Sequence, residues 1–297
     1  MKHHMKHQIR GLTPGFCAEA TGLDLRQELS EAAVREVVAA IDEYGVLVVR
    51  GQDISDDDQL RFSNYFGAPQ TSVTVHRKDH NRRLKRDDLS DISNVDEHGD
   101  RINVGYAFKI FTMSSRLWHT DSSFRKPSGM YTFLCAKRLP PEGGNTEFAD
   151  LRAAWDAVPD ARKRELEHLR VIHDLGYSRR LAGSPDLDEN ERMNLPPVVQ
   201  PLVRVHPGSG RRSFYLASHA EQIEGMSRDA GRALLNELMQ FATQRQFVYS
   251  HVWQPGDLVM WDNRCTMHRA MPFDEKRYIR EMRRTTVAEE VEAIAPA

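Results

Sequence analysis

The stretch Trp253-Gln-Pro-Gly-Asp-Leu-Val-Met-Trp-Asp-Asn-Arg-Cys-Thr-Met-His-Arg269 decides the fold class. Its Pro255-Gly256-Asp257 joint stands between the apolar runs 247–253 and 258–262, and another run, 266–270, follows at once. Proline and glycine favour tight reversal, so the joint reads as a hairpin turn between two strands. A second joint of this kind, Pro207-Gly-Ser-Gly210, lies between short runs at 202–206 and 213–217. Short strands with hairpin punctuation predict a mainly β, antiparallel molecule, a double-sheet jelly roll with flanking helices.

Working outward, residues 117–124, 130–136, 145–149, 171–175 and 280–287 also read as extended, with helices interrupting at about 151–169 and 228–245. Toward the N-terminus, after a first extended segment, Ser30 can cap a helix whose Val34, Val37, Val38 and Ile41 form one apolar stripe. The buried strand Val46–Val49 follows. Ser55 with Asp58 resembles an acidic capping signal for a short helix through Leu60, Phe62 and Phe66 that stops at Gly67. Residues 68–116 read as mostly irregular and polar. No internal repeat, low-complexity tract or linker divides the chain. The expected organisation is a single domain over 12–288, with residues 1–11, among them His3, His4 and His7, a disordered or artificially appended start and 289–297 a tail.

With 297 residues, 40% of them apolar, the chain can bury a full core. Lysine and arginine total 41 against 43 acids, so no nucleic-acid footprint follows from charge. The densest basic run, Arg77 to Arg86, is interrupted by Asp79 and followed by Asp87 and Asp88, which reads as a solvated loop. Cys17, Cys135 and Cys265 are odd in number and contain no Cys-x-x-Cys pair, so neither a disulfide framework nor a structural zinc site is expected. A reducing cytoplasm fits that usage. No apolar run approaches the roughly 18 residues of a membrane span, and the N-terminus lacks the apolar core of a secretory signal.

The chemistry centres on His119-Thr120-Asp121 within Leu117-Trp-His-Thr-Asp-Ser-Ser-Phe124. On an extended strand, side chains at 119 and 121 share a face while Trp118 and Thr120 take the other. An imidazole and a carboxylate delivered together, joined by a distant histidine, make the donor set of a 2-His-1-carboxylate iron site with positions open for a co-substrate and dioxygen. A second His-x-Asp, His98-Gly-Asp100, stands in a polar turn-forming segment and reads as a solvated loop. His268 is the favoured third ligand. His251 shares a face with Phe247, Tyr249 and Trp253 and reads as packed in an aromatic row. In the strand Arg280-Glu-Met-Arg-Arg-Thr-Thr286, Arg280 and Arg284 share one face with Met282, and a guanidinium there is what a dicarboxylate co-substrate would demand. The bland alternative is a surface strand of salt bridges.

The segments Leu-Trp-His-Thr-Asp-Ser-Ser-Phe, Pro-Pro-Glu-Gly-Gly-Asn-Thr-Glu-Phe, His-Pro-Gly-Ser-Gly-Arg and Trp-Asp-Asn-Arg-Cys-Thr-Met-His-Arg together resemble the iron(II)/2-oxoglutarate dioxygenases of the taurine dioxygenase (TauD/TfdA) family, over residues from about 12 to 288. Val-Leu-Val-Val-Arg-Gly-Gln, Asp-Ile-Ser-Asn-Val and Ala-Thr-Gln-Arg-Gln-Phe-Val-Tyr make the chain most similar to the 2,4-dichlorophenoxyacetate dioxygenase branch. The resemblance implies a double-stranded β-helix, cupin-like core, and His119, Asp121 and His268 as ligands of Fe(II). It implies Thr146 and Arg284 on the distal carboxylate of 2-oxoglutarate and Arg280 near its chelating end, with Arg283 the substitute anchor should Arg284 face outward. Both arginine positions lie one residue further past the histidine than the family pattern, an insertion between Met271 and Ile279. O2 is the second co-substrate, and a homo-oligomer is ordinary for such proteins.

The implied reaction couples oxidative decarboxylation of 2-oxoglutarate, to succinate and CO2, with hydroxylation of a small anionic organic substrate. For an aryloxyalkanoate the product collapses to a phenol and glyoxylate. The carboxylate Asp121 argues against halogenation, which needs that position for halide. Arg101, Lys109, Ser115, His206 and His219 are the candidate substrate contacts; each has a duller alternative as a loop charge or structural histidine. The loops at 71–86 and 100–116 match the phenoxyacetate branch least, and such loops carry specificity. Competing readings are a relative acting on a sulfonate such as taurine or another small carboxylate, a non-catalytic metal- or 2-oxoglutarate-binding protein, and a zinc hydrolase, which lacks an obvious general base.

Overall fold

Alternation along the central strands sets the layering. Val46 and Val48 face one side of their strand and Leu47 and Val49 the other, and the same split separates Leu134 and Ala136 from Phe133 and Cys135. Both faces of these strands are covered, which is why they read as continuous apolar runs. The computed structural model describes residues 8–76, 83–102 and 113–290.

The major sheet contains β1 (Gln8–Thr13), β2 (Phe16–Thr21), β3 (Val46–Val49), β4 (Ser90–Ser93), β5 (Gly129–Arg138), β13 (Leu258–Asp262) and β15 (Glu281–Ala288), in the order β1-β2-β3-β13-β5-β15-β4. Facing it is a sheet of β12 (Val248–His251), β6 (Thr146–Asp150) and β14 (Thr266–Ala270), in that order. Phe148 and Trp253 from the second layer pack against Val46, Val48, Leu134, Val259 and Trp261 of the first. The result is the double-stranded β-helix of a jelly roll. Two smaller sheets, β7 (Arg170–His173) between β11 (Ala220–Ile223) and β8 (Val198–Pro201), and the pair β9 (Val203–Val205) with β10 (Arg212–Phe214), continue the second layer's side of the molecule.

Helices close the outside. α1 (Glu31–Tyr44) and α2 (Asp56–Asn64) bury Val37, Ile41 and Phe62 against the major sheet. α3 (Leu151–Asp156), α4 (Asp160–Leu166) and α7 (Arg228–Ala242) cover the second layer with Leu151, Leu166, Leu235 and Leu238. α5 (Leu175–Leu181) and α6 (Glu189–Asn194) flank a small cluster of Phe124, Leu175, Leu187 and Leu195. Among the described residues no helix is long and apolar enough to cross a membrane.

Ser30 caps α1 by accepting from Ala33 N–H, and Ser55 and Asp58 form the anticipated reciprocal box on α2. The 207–210 joint is the hairpin between β9 and β10. The 255–257 joint is not a hairpin: β12 pairs with β6 while β13 pairs with β3 and β5, so the turn carries the chain from one layer to the other. Gly256 is required there, because it has φ +77 and a Cβ would lie 3.0 Å from the Gln52 backbone nitrogen. The strand expected over 117–124 shrinks to one bridge at His119, since the chain bends after Asp121 through Ser122 at φ +56. The helix expected at 151–169 divides at Pro159, which lacks an N–H and disfavours helical geometry before it. β4 lies inside a segment read as irregular, and α5, α6, β8 and β11 were not foreseen. Order begins before residue 12, as Gln8 already pairs with Thr21. Glu289, beyond the expected domain limit at 288, is buried, accepts from the Ser128 hydroxyl at 2.7 Å and pairs with Arg204 at 2.6 Å.

A candidate metal centre and its cavity

His119 and His268, distant in sequence, meet as a single antiparallel rung: His119 N–H donates to His268 O at 3.0 Å and His268 N–H to His119 O at 2.8 Å. Their ring centroids are 4.1 Å apart. Asp121 is placed from the major-sheet side, with its N–H donating to Asn263 Oδ1 at 3.0 Å and its Oδ2 accepting from the Thr132 hydroxyl at 2.9 Å. Its carboxylate stands 3.8 Å from His119 Nε2 and 3.7 Å from His268 Nε2, and one donor atom from each of the three lies within 4.8 Å of the others.

The protonation states suit metal ligation. His119 Nδ1 lies 2.8 Å from the Leu117 carbonyl and donates to it, leaving Nε2 with a free lone pair. Burial pushes both imidazoles below their ordinary range. Burial alone would raise the Asp121 carboxyl, but the Arg284 guanidinium, then His268 and His119, and the Thr132 hydroxyl hold it well below the usual carboxylate range. Two neutral imidazoles and a carboxylate, aimed at one point, fit a divalent cation.

These groups line a cavity of about 260 Å³ that also reaches Thr146, Arg280 and Arg284. Arg280 is buried, and burial, opposed by no acid, pushes its guanidinium down to about 10. Among the described residues no carboxylate pairs with it; its Nε donates only to the Gly144 carbonyl at 3.2 Å. A buried cation without a counter-anion is what an anionic ligand would complete. Arg280 also stands over the Trp253 ring at 5.9 Å, whose Nε1 donates to Thr146 Oγ1 at 3.0 Å. Arg284 Nη1 pairs instead with Asp121 Oδ1 at 3.1 Å. This corrects the expected order: Arg280 is on the Thr146 side and Arg284 on the metal side. Arg283 points to the other face of the sheet, bound to Glu281 at 2.7 Å and Asp91 at 3.1 Å, so it is no substitute anchor.

The remaining candidates divide. Ser115 and His219 line the cavity, and His219 packs edge-on to Phe124 at 4.6 Å with Nδ1 2.7 Å from Ser178 Oγ. His206 does not: it is buried against Asp262 at 2.8 Å, a structural pair. Arg101 bridges to Val95 outside the cavity lining. Lys109 lies outside the described residues. His251 is buried on Asp257 at 3.0 Å beneath Trp253, and His98-Gly-Asp100 is a turn with both side chains exposed, both as expected. The cavity further takes in Phe124, Leu175, Phe273 and Asn94, and the pair Arg116–Glu275 at 2.5 Å. Of these, Phe124 and Asn94 lay in segments whose pattern stood out, Leu-Trp-His-Thr-Asp-Ser-Ser-Phe and Asp-Ile-Ser-Asn-Val.

The chain is 44% identical to the alpha-ketoglutarate-dependent 2,4-dichlorophenoxyacetate dioxygenase of Cupriavidus pinatubonensis, with 94% of this chain and 96% of that relative aligned. It is 42% identical to the enzyme of the same name from a Burkholderia species, covering 93% and 92%. Among solved structures it superposes on AAD-2 in complex with Mn(II) and N-oxalylglycine with a TM-score of 0.86 and 43% identity, covering 96% of this chain and 97% of that one. The family model for the taurine catabolism dioxygenases, TauD and TfdA, matches residues 8–286. A match of that length and identity, on the same fold, shows that this protein belongs to the TauD/TfdA dioxygenase family.

Proposed function

We propose that this protein is an Fe(II)- and 2-oxoglutarate-dependent dioxygenase that hydroxylates an aryloxyalkanoate such as 2,4-dichlorophenoxyacetate, releasing a phenol and glyoxylate. The observation that carries this reading is the His119, Asp121 and His268 donor set opening on the same cavity as buried Arg280, with which no carboxylate among the described residues pairs. His119, Asp121 and His268 hold the iron. With 2-oxoglutarate and O2 bound, the metal supplies oxidative decarboxylation to succinate and CO2 and the oxidant for hydroxylation.

The chain's own residues do the positioning. Arg280, with Thr146, takes the distal carboxylate of 2-oxoglutarate, where a guanidinium fork in a dry setting binds strongly. Arg284 lies beside Asp121, where it keeps that carboxylate ionised and meets anionic groups brought to the metal. Phe124, Leu175 and Phe273 offer an apolar wall for an aromatic ring, and Ser115 and His219 offer polar contacts for the substrate's own anion; Lys109 remains a further candidate. The same reading makes the enzyme a cytoplasmic homo-oligomer without nucleic-acid or membrane partners, and its three buried free cysteines suit reducing surroundings.

The test is succinate release from labelled 2-oxoglutarate under air, screened across phenoxyacetates, phenoxypropionates and sulfonates including taurine. Phenoxyacetates should stimulate release and yield phenol, and Asp121→Ala should abolish the coupled turnover. Stimulation by sulfonates alone would move the assignment to that substrate class. Loss of stimulation with every class, while 2-oxoglutarate still binds, would leave a non-catalytic binding protein.

A further inference from the structure

β4 ends at Ser93, paired with Glu281, and the following residue continues the ladder in an altered form. Asn94 N–H donates to the Arg280 carbonyl at 3.2 Å, as an ordinary antiparallel rung would. The return bond does not come from the Asn94 carbonyl, which accepts instead from Ile102 N–H at 2.9 Å. Asn94 Oδ1 takes its place and accepts Arg280 N–H at 2.8 Å, while Nδ2 donates to the Tyr278 carbonyl at 2.9 Å. The exchange of side chain for carbonyl lets the chain leave the sheet at residue 94 without orphaning a buried N–H. Serine lacks the amide donor for Tyr278, and glutamine is one carbon too long for the same reach.

Asn94 is 1% exposed and lines the same cavity as Arg280, whose backbone N–H and carbonyl it holds. On the opposite flank Gly144, at φ +68, lets its carbonyl reach Arg280 Nε, and a Cβ there would lie 3.3 Å from both Cδ and Nε. Arg280 is therefore held by uncharged groups at its backbone and at Nε, and among the described residues no carboxylate neutralises its charge.

We propose that Asn94 is the positioning residue that presets Arg280 for its anion, a role resting on the 2-oxoglutarate anchor assigned above. Presetting lowers the ordering cost of binding, so its loss falls on the affinity of the anchored ligand and not on the step at the metal. The test uses the full chain with Asn94→Ala and Asn94→Asp, by steady-state kinetics and by calorimetric titration of the Mn(II)-loaded protein with N-oxalylglycine. Asn94→Ala should raise both the KM for 2-oxoglutarate and the Kd for N-oxalylglycine about tenfold, the effect of one buried hydrogen-bond set. The kcat at saturation and the KM for phenoxyacetate should stay within about twofold. Asn94→Asp keeps the acceptor for Arg280 N–H but loses the amide donor and brings a negative charge to the anchor, so both constants should rise at least as far. This variant alone suffices if Asn94→Ala does not fold. Variants that lose melting temperature or kcat while both constants stay at wild-type values overturn the proposal and leave the dioxygenase reading intact. Failure of the wild type to bind either 2-oxoglutarate or N-oxalylglycine takes down the anchor and the proposal together.

Discussion

Arg280, just before β15, and Arg284 within it both line the cavity, yet they meet different surroundings. The two-residue period of a strand made their convergence on one site legible in the sequence. Which arginine stands over the metal was not, because that depends on how β15 registers against β5 and how far the loop from Met271 to Ile279 carries the chain. Register puts Arg284 opposite Leu134 and within 3.1 Å of Asp121, and leaves Arg280 with Gly144 and Trp253. The functional consequence separates the two residues. Arg280→Ala removes a charge-assisted bond to the co-substrate, roughly 2–3 kcal/mol, and should raise the KM for 2-oxoglutarate about 100-fold. Arg284→Ala should move that KM less than about fivefold and lower kcat instead. Steady-state kinetics of the two variants decide the matter, and the reverse pattern would restore the order expected from the sequence.

At the scale of elements, runs that complete a sheet interior were read well: β13 and β14 occupy the expected 258–262 and 266–270. Connections were read poorly, because a Pro-Gly joint signals reversal without saying whether the next strand returns to the same sheet. The basic run at 77–86 shows the same limit. Arg83, taken for a loop charge, pairs with Asp91 at 2.6 Å and with Glu281 at 2.8 Å, tying its segment to the outward face of β15. Glu281 also binds Arg138 at 2.5 Å and Arg283 at 2.7 Å. Burial would raise the Glu281 carboxyl, but the hydrogen bonds from Arg83, Arg283 and Arg138 outweigh it and bring it from its ordinary 4.5 to about 2. A carboxyl lowered on folding stabilises the protein above its unfolded value, and that contribution fades as pH drops toward the folded one. Glu281→Gln should therefore cost about 2 kcal/mol at neutral pH. The gap between variant and wild type should narrow from about pH 4.5 toward about pH 2. Urea unfolding across that range measures it, and a gap independent of pH would mean that the network contributes through packing alone.

Across the whole molecule, the centre joins parts that the chain brings together late. His268 belongs to the second layer, Asp121 is fastened to Thr132 in the major sheet, and His119 hangs from His268 by one rung with no ladder around it. No local spacing reveals such a junction; the residue pattern favoured His268 over His251 as the third ligand, and the family resemblance implied the same residue. A cation shared by these donors ties the two layers, so it binds the folded chain and not the unfolded one. Linkage then gives a stabilisation of about 2.7 kcal/mol at a metal concentration of 100 Kd. For a chain of this length that is a rise in melting temperature of about 5 °C. Mn(II), which needs no protection from air, is a suitable probe, with chelator-treated protein as the reference. The other cluster of potential donors among the described residues, His206, Asp262 and Cys265, should not contribute. Arg264 already binds Asp262 at 2.6 Å, His206 binds it at 2.8 Å, and burial pushes the Cys265 thiol far above the thiolate range. Asp121→Ala should accordingly fold, bind Mn(II) weakly and lose the rise. Retention of the full 5 °C shift in that variant would place the metal elsewhere and remove the basis for assigning Asp121 as its ligand.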